Sequence, residues 1–495
     1  MKSTEDMVGK IPPQVMAVAE KISTAGYEAH LIGGCVRDLI LGRKPKDWDI
    51  TTNATPDEIV KLFTNTFYEN TYGTVGVVNE EEGIDETLKV VEVTPYRLEV
   101  GYSDKRRPDN VTFSQKIEDD LKRRDFTINA IALEPFRGQL IDLYKGQEDL
   151  KDKVLRTVGE PNERFNEDAL RVMRAVRLSC ELDFVIDPQT EKAVADNSHL
   201  LKHISKERIR DEFIRIVGSD HPMTGLELCK KFGILAFIAP AFEEAIGIEQ
   251  GGIHKYNVWE HILRAAQHAA DKKWPLDVRL AALFHDIGKP STRRAGAPGE
   301  KWTFYGHEVV GARMTRKILA DLKFPQKTID RVTKLVRWHM FFSDTETITL
   351  SAVRRLVANV GAENVWDLMN VRMADRIGTG RPKESPYRLR KYQSMIEEAM
   401  RDPVSVGMLK IDGSRIMEVT GMKPGPKVGF ILHALLEEVL EDPKLNTAEY
   451  LEKRAKELET MPEKKLKELS DKGKEKKLEE EEKELGEIRK KYNVG

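Results

Sequence analysis

The stretch Leu31-Ile-Gly-Gly-Cys-Val-Arg-Asp-Leu-Ile-Leu-Gly-Arg-Lys-Pro-Lys-Asp-Trp-Asp-Ile-Thr51 decides how the first part of this chain folds. Tyr27 to Ile32 reads as a short strand that the Gly33-Gly34 pair breaks. Cys35 to Leu41 reads as a short helix closed by Gly42, and Trp48-Asp-Ile-Thr as a second strand. Asp47 and Asp49 are two apart on that predicted strand, so both carboxylates leave the same face. Two acids held side by side repel each other unless a cation bridges them, and oxygen ligands of this kind suit Mg²⁺. Gly33 and Gly34 remove side chains where a backbone could approach a phosphate. The helix that follows offers free N–H groups and its positive dipole end, with Arg37 one turn in. Strand, Gly-Gly, helix, then a strand with Asp-x-Asp is the layout that nucleotidyl transfer needs, with metals activating a hydroxyl and neutralising a triphosphate for in-line attack.

Outward from this site the first 150 residues remain mixed. Gly73-Thr-Val-Gly-Val-Val and Lys89-Val-Val-Glu-Val-Thr are β-rich runs around an acidic loop, Asn79 to Thr87. From about Asp152 onward amphipathic helical periods dominate to about residue 460. The fold class is therefore α+β, and composition places boundaries that divide the chain into 1–150, 151–250, 251–400 and 401–495. The last stretch becomes increasingly charged, although Leu478, Leu485 and Tyr492 keep a heptad spacing; a solvated helix or frayed tail is the plain reading, and an RNA-contacting or self-associating helix the alternative. With 40% hydrophobic and 33% charged residues in 495, soluble cores are expected. No run approaches 18 uninterrupted apolar residues, which excludes a helical membrane span. The N-terminal MKSTEDMVGKIPPQ lacks the apolar core of a signal peptide. Cys35, Cys180 and Cys229, scattered and odd in number, point to a reducing cytoplasm. Lys and Arg total 80 against 82 Asp and Glu, so any nucleic-acid binding must come from a local basic surface.

The Leu31–Thr51 segment closely resembles the active-site motif of class II tRNA nucleotidyltransferases, the CCA-adding enzymes, and of their relatives the bacterial poly(A) polymerases. The resemblance implies a polymerase-beta-like nucleotidyltransferase head, with Asp47 and Asp49 as catalytic Mg²⁺ ligands and Gly34 and Arg37 at the nucleotide. Thr94-Pro-Tyr-Arg-Leu-Glu-Val-Gly-Tyr-Ser-Asp-Lys-Arg-Arg-Pro is similar to the family's flexible loop. Its part from Tyr102 to Pro108 is lacking in members limited to adding CC. Arg123-Arg-Asp-Phe-Thr-Ile-Asn-Ala matches the second motif, which implies that Arg124 holds the nucleotide phosphates; pairing of Arg123 and Arg124 with Asp119 and Asp120 is the plainer alternative. Asp142-Leu-Tyr-Lys-Gly-Gln-Glu-Asp-Leu is similar to the family's hinge. Glu92, in Val90-Val-Glu-Val, is the candidate third carboxylate, with a strand-edge surface glutamate as the alternative.

Glu167-Asp168-Ala-Leu-Arg171-Val-Met-Arg174-Ala-Val-Arg177 repeats at three-residue spacing. On a single helix Asp168, Arg171 and Arg174 would share a face, whereas Arg177 lies roughly opposite Asp168. An ordinary helix with i,i+3 ion pairs has the same spacing. The functional reading has a chemical reason: an Asp can accept from the exocyclic amino group of C or A while an Arg donates to the ring nitrogen beside it, and G and U present the wrong pattern. In the resembling family this motif replaces a nucleic-acid template, and the analogy includes Arg177 as nucleotide-binding. Further on, Lys202, Lys206, Arg208, Arg210, Arg215, Lys230 and Lys231 suit RNA backbone contact, although a solvated helix face also explains them. Ile204-Ser-Lys-Glu-Arg-Ile resembles the last shared motif.

His261, His285, Asp286, His307, His339 and Asp375 form a second ordered series. His285-Asp-Ile-Gly-Lys-Pro resembles the signature of the HD metal-dependent phosphohydrolases, which implies His261 as first ligand, Asp375 as last, and His307 and His339 as the extra ligands of a two-metal site. Imidazoles and carboxylates without cysteine suit Mn, Fe, Ni or Zn. Lys289 could meet a phosphate. The stretch Ile411 to Leu432 is similar to the tail of related nucleotidyltransferases that carry an HD domain; Pro424 to Gly429 would begin a helix, with Lys423 and Lys427 near RNA. The expectation is a head followed by an all-helical neck, an HD domain and a helical tail. Its partners would be CTP, ATP and the tRNA acceptor end, with no membrane. The same chemistry as a poly(A) polymerase or A-adding enzyme is the first alternative, and an HD phosphohydrolase with the head as an RNA-binding module is the second. Against the poly(A) branch, the region expected to carry its Arg-Phe-x-Leu-x-His-Val-type stretch reads Val91-Glu-Val-Thr-Pro-Tyr-Arg.

Overall fold

A computed structural model describes residues 4–68, 73–81, 83–101, 109–252, 254–296, 301–341 and 348–469. The segment Tyr102 to Pro108 and the charged end with Leu478, Leu485 and Tyr492 lie outside the described residues. Internal contacts divide the chain into two units, Met1–Glu243 with Asp321–Lys323, and Glu244–Ala320 with Phe324–Gly495.

In the first unit nine strands precede the helical part: β1 (His30–Ile32), β2 (Asp49–Thr52), β3 (Thr66–Tyr68), β4 (Val75–Val78), β5 (Val90–Pro95), β6 (Arg97–Val100), β7 (Asn110–Phe113), β8 (Ile131–Leu133) and β9 (Leu140–Asp142). Seven of them form one sheet in the order β3-β4-β5-β2-β1-β8-β9, and β6 pairs with β7 in a separate ribbon. Only β2 and β5 run parallel within that sheet, and their register sets Asp49 beside Glu92. Regular strand begins at Asp49, so Asp47 lies in the bend before β2, not on the strand. The alternation nevertheless starts earlier: Trp48 and Ile50 are buried between an exposed Asp47 and a half-buried Asp49. The side chain of Trp48 anchors this bend, which is why the two-residue spacing still works.

The Gly-Gly pair leads into helix α1 (Gly34–Leu41), which ends at Gly42 with φ 71°, a left-handed C-cap. Asp142 closes the head through local hydrogen bonds, accepting from Gly146 N at 2.8 Å and Gln147 N at 2.9 Å at the start of the next helix. The helices that follow include α2 (Pro161–Glu167), α3 (Leu170–Leu182) and α4 (Lys206–Gly218). The expected continuous helix through Glu167 and Arg177 is broken at Asp168, whose φ −132° and ψ 106° are extended. Its carboxylate accepts from Leu170 N at 3.0 Å, a side-chain bond that competes with the helical one. Two-residue strands also interrupt the helical part, Val154–Leu155 pairing with Val185–Ile186.

The second unit is helical apart from the short pair Arg294–Ala295 and Trp302–Thr303. Its functional elements are α5 (Val258–Asp271), α6 (Leu276–Phe284), α7 (His307–Asp321), α8 (Gln326–Trp338) and α9 (Val365–Gly378). Ala265 and Ala269 of α5, Ala282 of α6 and Ala374 of α9 form one buried cluster. Small side chains at this crossing let the three helices approach closely, which brings their histidines and aspartates within reach of one another. Toward the C-terminus the expected helix begins at Pro426 and runs to Glu441, burying Val428, Ile431, Leu435 and Val439. No helix of the described residues is long and apolar enough to cross a membrane.

Candidate active sites

The head site is built around bare backbone. Gly33 has φ 80°, which a residue with a side chain rarely adopts. A Cβ placed there would lie 3.0 Å from Arg124 Nη1 and 3.5 Å from Asp49 Oδ2, and one on Gly34 would lie 3.6 Å from both Arg37 Nη2 and Asp47 Oδ1. Both expected carboxylates and both expected guanidinium groups therefore face the same two residues. The oxygens of Asp47 and Asp49 border a cleared space at the N-terminus of α1, and an all-oxygen donor set fits a hard divalent cation. Cys35 behind them is fully buried, and burial, with Asp49 adding to it, pushes its thiol up to about 12.

Arg124 is held from behind. Its Nη2 donates to Asp120 Oδ2 at 3.0 Å, and Arg123 Nη2 donates to Asp120 Oδ1 at 2.6 Å. Burial alone would raise the Asp120 carboxyl, but the two guanidinium groups hold it below its ordinary value. The ion pairing anticipated as an alternative for these arginines is thus present, with Asp120 as the partner, and Arg124 still turns Nη1 toward Gly33. Five donors in a fixed fork allow both.

A hydrogen-bonded chain that sequence reasoning missed runs from the cradle to α3. Arg37 Nη1 donates to Asn129 Oδ1 at 2.8 Å, Asn129 Nδ2 donates to Asp125 Oδ1 at 3.1 Å, and Arg174 Nη2 meets Asp125 Oδ2 at 2.6 Å. Burial works to raise the Asp125 carboxyl, but Arg174 and Arg171 hold it far below the usual carboxylate range. Asp125, in return, raises Arg174. Both missed residues sit in the quoted Arg-Arg-Asp-Phe-Thr-Ile-Asn stretch; their four-residue spacing was the available signal.

The other members of the α3 series do not form one face. Asp168 meets Arg208 Nη2 at 2.8 Å, while Arg171 donates to Glu167 at 2.5 Å and to the Arg123 carbonyl at 3.1 Å. Asp168 and Arg171 thus have separate partners because Asp168 precedes α3 instead of lying on it. Arg177 is placed inside, 2.9 Å from Glu212 of α4. Burial pushes Arg177 down and Glu212 up, so desolvation outweighs their mutual attraction. Among the other basic residues, Arg215 pairs with Glu181 at 2.9 Å and Lys231 with Glu191 at 2.5 Å.

In the second unit all six expected residues converge. His261 Nε2 lies 2.8 Å from His285 Nε2, 3.0 Å from Asp286 Oδ2 and 3.3 Å from Asp375 Oδ1. His307 Nε2 lies 3.2 Å from Asp286 Oδ1 and 3.3 Å from His339 Nε2. Two ligand groups result, His261–His285–Asp286 and Asp286–His307–His339, sharing Asp286. The opposite ring nitrogens fix the tautomers: Nδ1 of His285, His307 and His339 donates to the carbonyls of Ala282, Phe304 and Val336 at 2.8, 2.8 and 2.7 Å. Each then turns an Nε2 lone pair inward, toward a carboxylate that is also an acceptor. Such a set needs positive charge at its centre, and the donors fit divalent metal ions. The ionisations agree. Burial pushes His339 down to about 4, a neutral ligand, whereas at His285 burial opposes a proton that Asp286 and Asp375 nevertheless raise to about 10.

Gly288 permits this closure, since a Cβ there would collide with the His307 carbonyl at the start of α7. Lys289, expected near a phosphate, is buried with Nζ 2.6 Å from both Asp286 Oδ2 and Gln250 Oε1. Sequence reasoning also missed Arg372, which donates to Asp375 Oδ2 at 2.6 Å, and His254, whose ring meets that of His261 edge-on at 5.5 Å.

Residues 29–156 match the Poly A polymerase head domain, 183–246 the probable RNA and SrmB-binding site of polymerase A, and 258–379 the HD domain. A CCA-adding enzyme of Lactobacillus helveticus is 46% identical over 45% of this chain and 54% of its own length. The chain thus spans about half the length of that relative. A CC-adding tRNA nucleotidyltransferase of Thermus thermophilus is 33% identical over 84% of this chain and 90% of its own. The crystal structure of the Bacillus stearothermophilus CCA-adding enzyme in complex with CTP aligns with 90% of this chain and 98% of its own, with a TM-score of 0.67 and 29% identity. By sequence along most of its length and by fold, this chain belongs to the tRNA nucleotidyltransferases of the CCA-adding family.

Proposed function

We propose that this chain adds C, C and A to the 3′ end of tRNA from CTP and ATP, without a nucleic-acid template. The convergence of Asp47, Asp49, Arg37 and Arg124 on Gly33 and Gly34 carries this reading. Mg²⁺ held by Asp47 and Asp49 would lower the pKa of the tRNA 3′-hydroxyl and neutralise the triphosphate. The remaining work falls to the chain itself. Arg124, braced by Asp120, and Arg37, braced by Asn129, direct donors at phosphate oxygens where no side chain blocks approach. Asp168 accepts from the amino group of C or A, and Arg171 and Arg174 donate to the ring nitrogen. Asp168 and Arg171 enter this role already ion-paired, with Arg208 and Glu167, and exchange those partners for a base edge. Arg177 acts from the interior, seating α3 against α4.

The segments 1–150, 151–250, 251–400 and 401–495 are the head, the RNA-binding neck, the HD domain and the tail in this reading. The segment Tyr102 to Pro108 supports addition of A as well as C. The His/Asp cluster of the second unit supports an additional metal-dependent phosphohydrolase, using Mn, Fe, Ni or Zn, on RNA ends that carry a 2′,3′-cyclic or 3′-phosphate. Such ends lack the free hydroxyl that the head requires. Location in the cytoplasm follows from the same substrates.

The test is to incubate the protein with tRNAs ending before the first C, the second C or the A, with each nucleotide singly and mixed, and to sequence the ends. Completion of each to CCA is expected. Heterogeneous oligo(A) on all of them would favour a poly(A) polymerase and overturn the proposal.

A further inference from the structure

The outer faces of α7 and α8 carry a groove that neither the head chemistry nor the His/Asp cluster uses. The two helices run in opposite directions. They are tied at one end where His307 and His339 approach at 3.3 Å, and toward the other by the Arg316–Asp330 ion pair at 2.8 Å. Between these ties lies a groove of about 480 Å³, floored by Val309 and Ala312 and walled by Arg313, Lys334, Arg337 and Trp338.

Four basic side chains, Arg313, Arg316, Lys334 and Arg337, line it against one carboxylate, Asp330. Arg313 is exposed and Lys334 half-buried, and neither makes a hydrogen bond or ion pair with another described residue. Asp330, the one carboxylate on the wall, is already taken by Arg316 and by Gln326 Nε2 at 2.9 Å. Arg337 reaches a carboxylate only at 3.6 Å, on Glu308, and its Nη1 is buried without a hydrogen-bond partner among the described residues. The Thr333 hydroxyl on the same wall is buried and equally unpartnered. The Arg337 guanidinium lies 5.3 Å from the Trp338 ring, so a cation and an aromatic surface stand side by side.

Cations spaced along a groove with an apolar floor and an aromatic wall match the alternation of phosphate and base in a nucleic-acid strand. A nucleic-acid strand carries both partners, an anionic phosphate and a planar base, in every repeat. We propose that the α7–α8 groove is a binding site for an RNA strand, which sets backbone phosphates on Arg313, Lys334 and Arg337 and lays a base against Trp338. The strand belongs to the tRNA substrate, so this inference rests on the function proposed above. On a chain of net charge −2, a groove of this kind supplies the local attraction that the whole molecule lacks.

The experiment measures binding of the full-length protein to a tRNA lacking its terminal CCA, by fluorescence anisotropy across a salt series. Wild type is compared with Arg313→Ala, Lys334→Ala and Arg313→Lys, after thermal melts establish that each variant is folded. Each alanine substitution should reduce the slope of log K against log salt by about 1, the loss of one phosphate contact, and Arg313→Lys should keep the wild-type slope. A steep wild-type slope that neither alanine variant changes would overturn the groove alone. A wild-type protein that binds this tRNA with no salt dependence would overturn the groove and the tRNA reading together.

Discussion

Asp49 and Arg124 both face the backbone of Gly33, while Asp47 and Arg37 face Gly34. The φ of 80° at Gly33 disfavours any side chain, and a Cβ there would press on Arg124 Nη1 at 3.0 Å, so the site is built on bare backbone. Asp47→Ala or Asp49→Ala is expected to abolish nucleotide addition while tRNA affinity stays within a few-fold of wild type, because affinity is spread over many backbone contacts. Addition assays beside anisotropy with tRNA check this, and addition near the wild-type rate would exclude the assignment. Asp125 gives a pH signature. Its folded carboxyl is held below its ordinary value by Arg174 and Arg171 against burial, so the stability it contributes is present above the unfolded pKa of about 3.9 and is lost as the pH falls through the folded value. Asp125→Asn should therefore be less stable than wild type at neutral pH, and the gap should narrow in acid. Thermal melts from about pH 7 to about pH 3 would show two parallel curves if Asp125 were not ionised in this network.

Helix α3 shows how far an element can be read from its own sequence. The strand, Gly-Gly and α1 were legible because each is a local device: alternation, a breaker pair, a glycine cap. The end of α2 was not, since Asp168 fits the helical period and leaves it only because its carboxylate takes the Leu170 N–H. The partners of α3 were equally hidden. Arg177 meets Glu212 and Arg174 meets Asp125 only after α3, α4 and the head have packed, and no spacing within one helix contains that information. Two outcomes follow for this element. Asp168→Ala and Arg171→Ala should each relax the choice of CTP and ATP over UTP and GTP by one to two decades, since a bidentate contact is worth about 1–3 kcal/mol. Undiminished selectivity in both would leave Asp168–Arg208 and Arg171–Glu167 as ordinary ion pairs. Arg177→Ala, by contrast, should leave base choice alone and cost about 3–5 kcal/mol of stability, because it strands a buried Glu212. Denaturant melts beside nucleotide competition separate the two effects.

Across the whole molecule, the head carboxylates and the His/Asp cluster belong to different compact units, so each chemistry has its own scaffold. The order of the cluster in sequence was legible as a ligand series, whereas the tautomers, the sharing of Asp286 and the support of Asp375 by Arg372 required the packed helices. The ligands come from α5, the turn after α6, the start of α7, the residue after α8, and α9. A metal bound there therefore pins five elements at once, and its binding energy becomes folding energy of the second unit. Adding Mn²⁺ or Ni²⁺ to the chelator-treated protein should raise the unfolding transition of that unit, by about 2.7 kcal/mol at a hundredfold excess over Kd. The gain should weaken as the pH falls, because protons compete with the ion for the inward Nε2 atoms. His285→Ala or Asp286→Ala should remove both this gain and any hydrolysis of cyclic or 3′-phosphates, while CTP and ATP addition continues. Calorimetry with and without metal, run on wild type and His285→Ala, decides the matter. A transition that metal leaves unmoved in wild type would make the cluster a proton-bridged structural core instead of a metal centre.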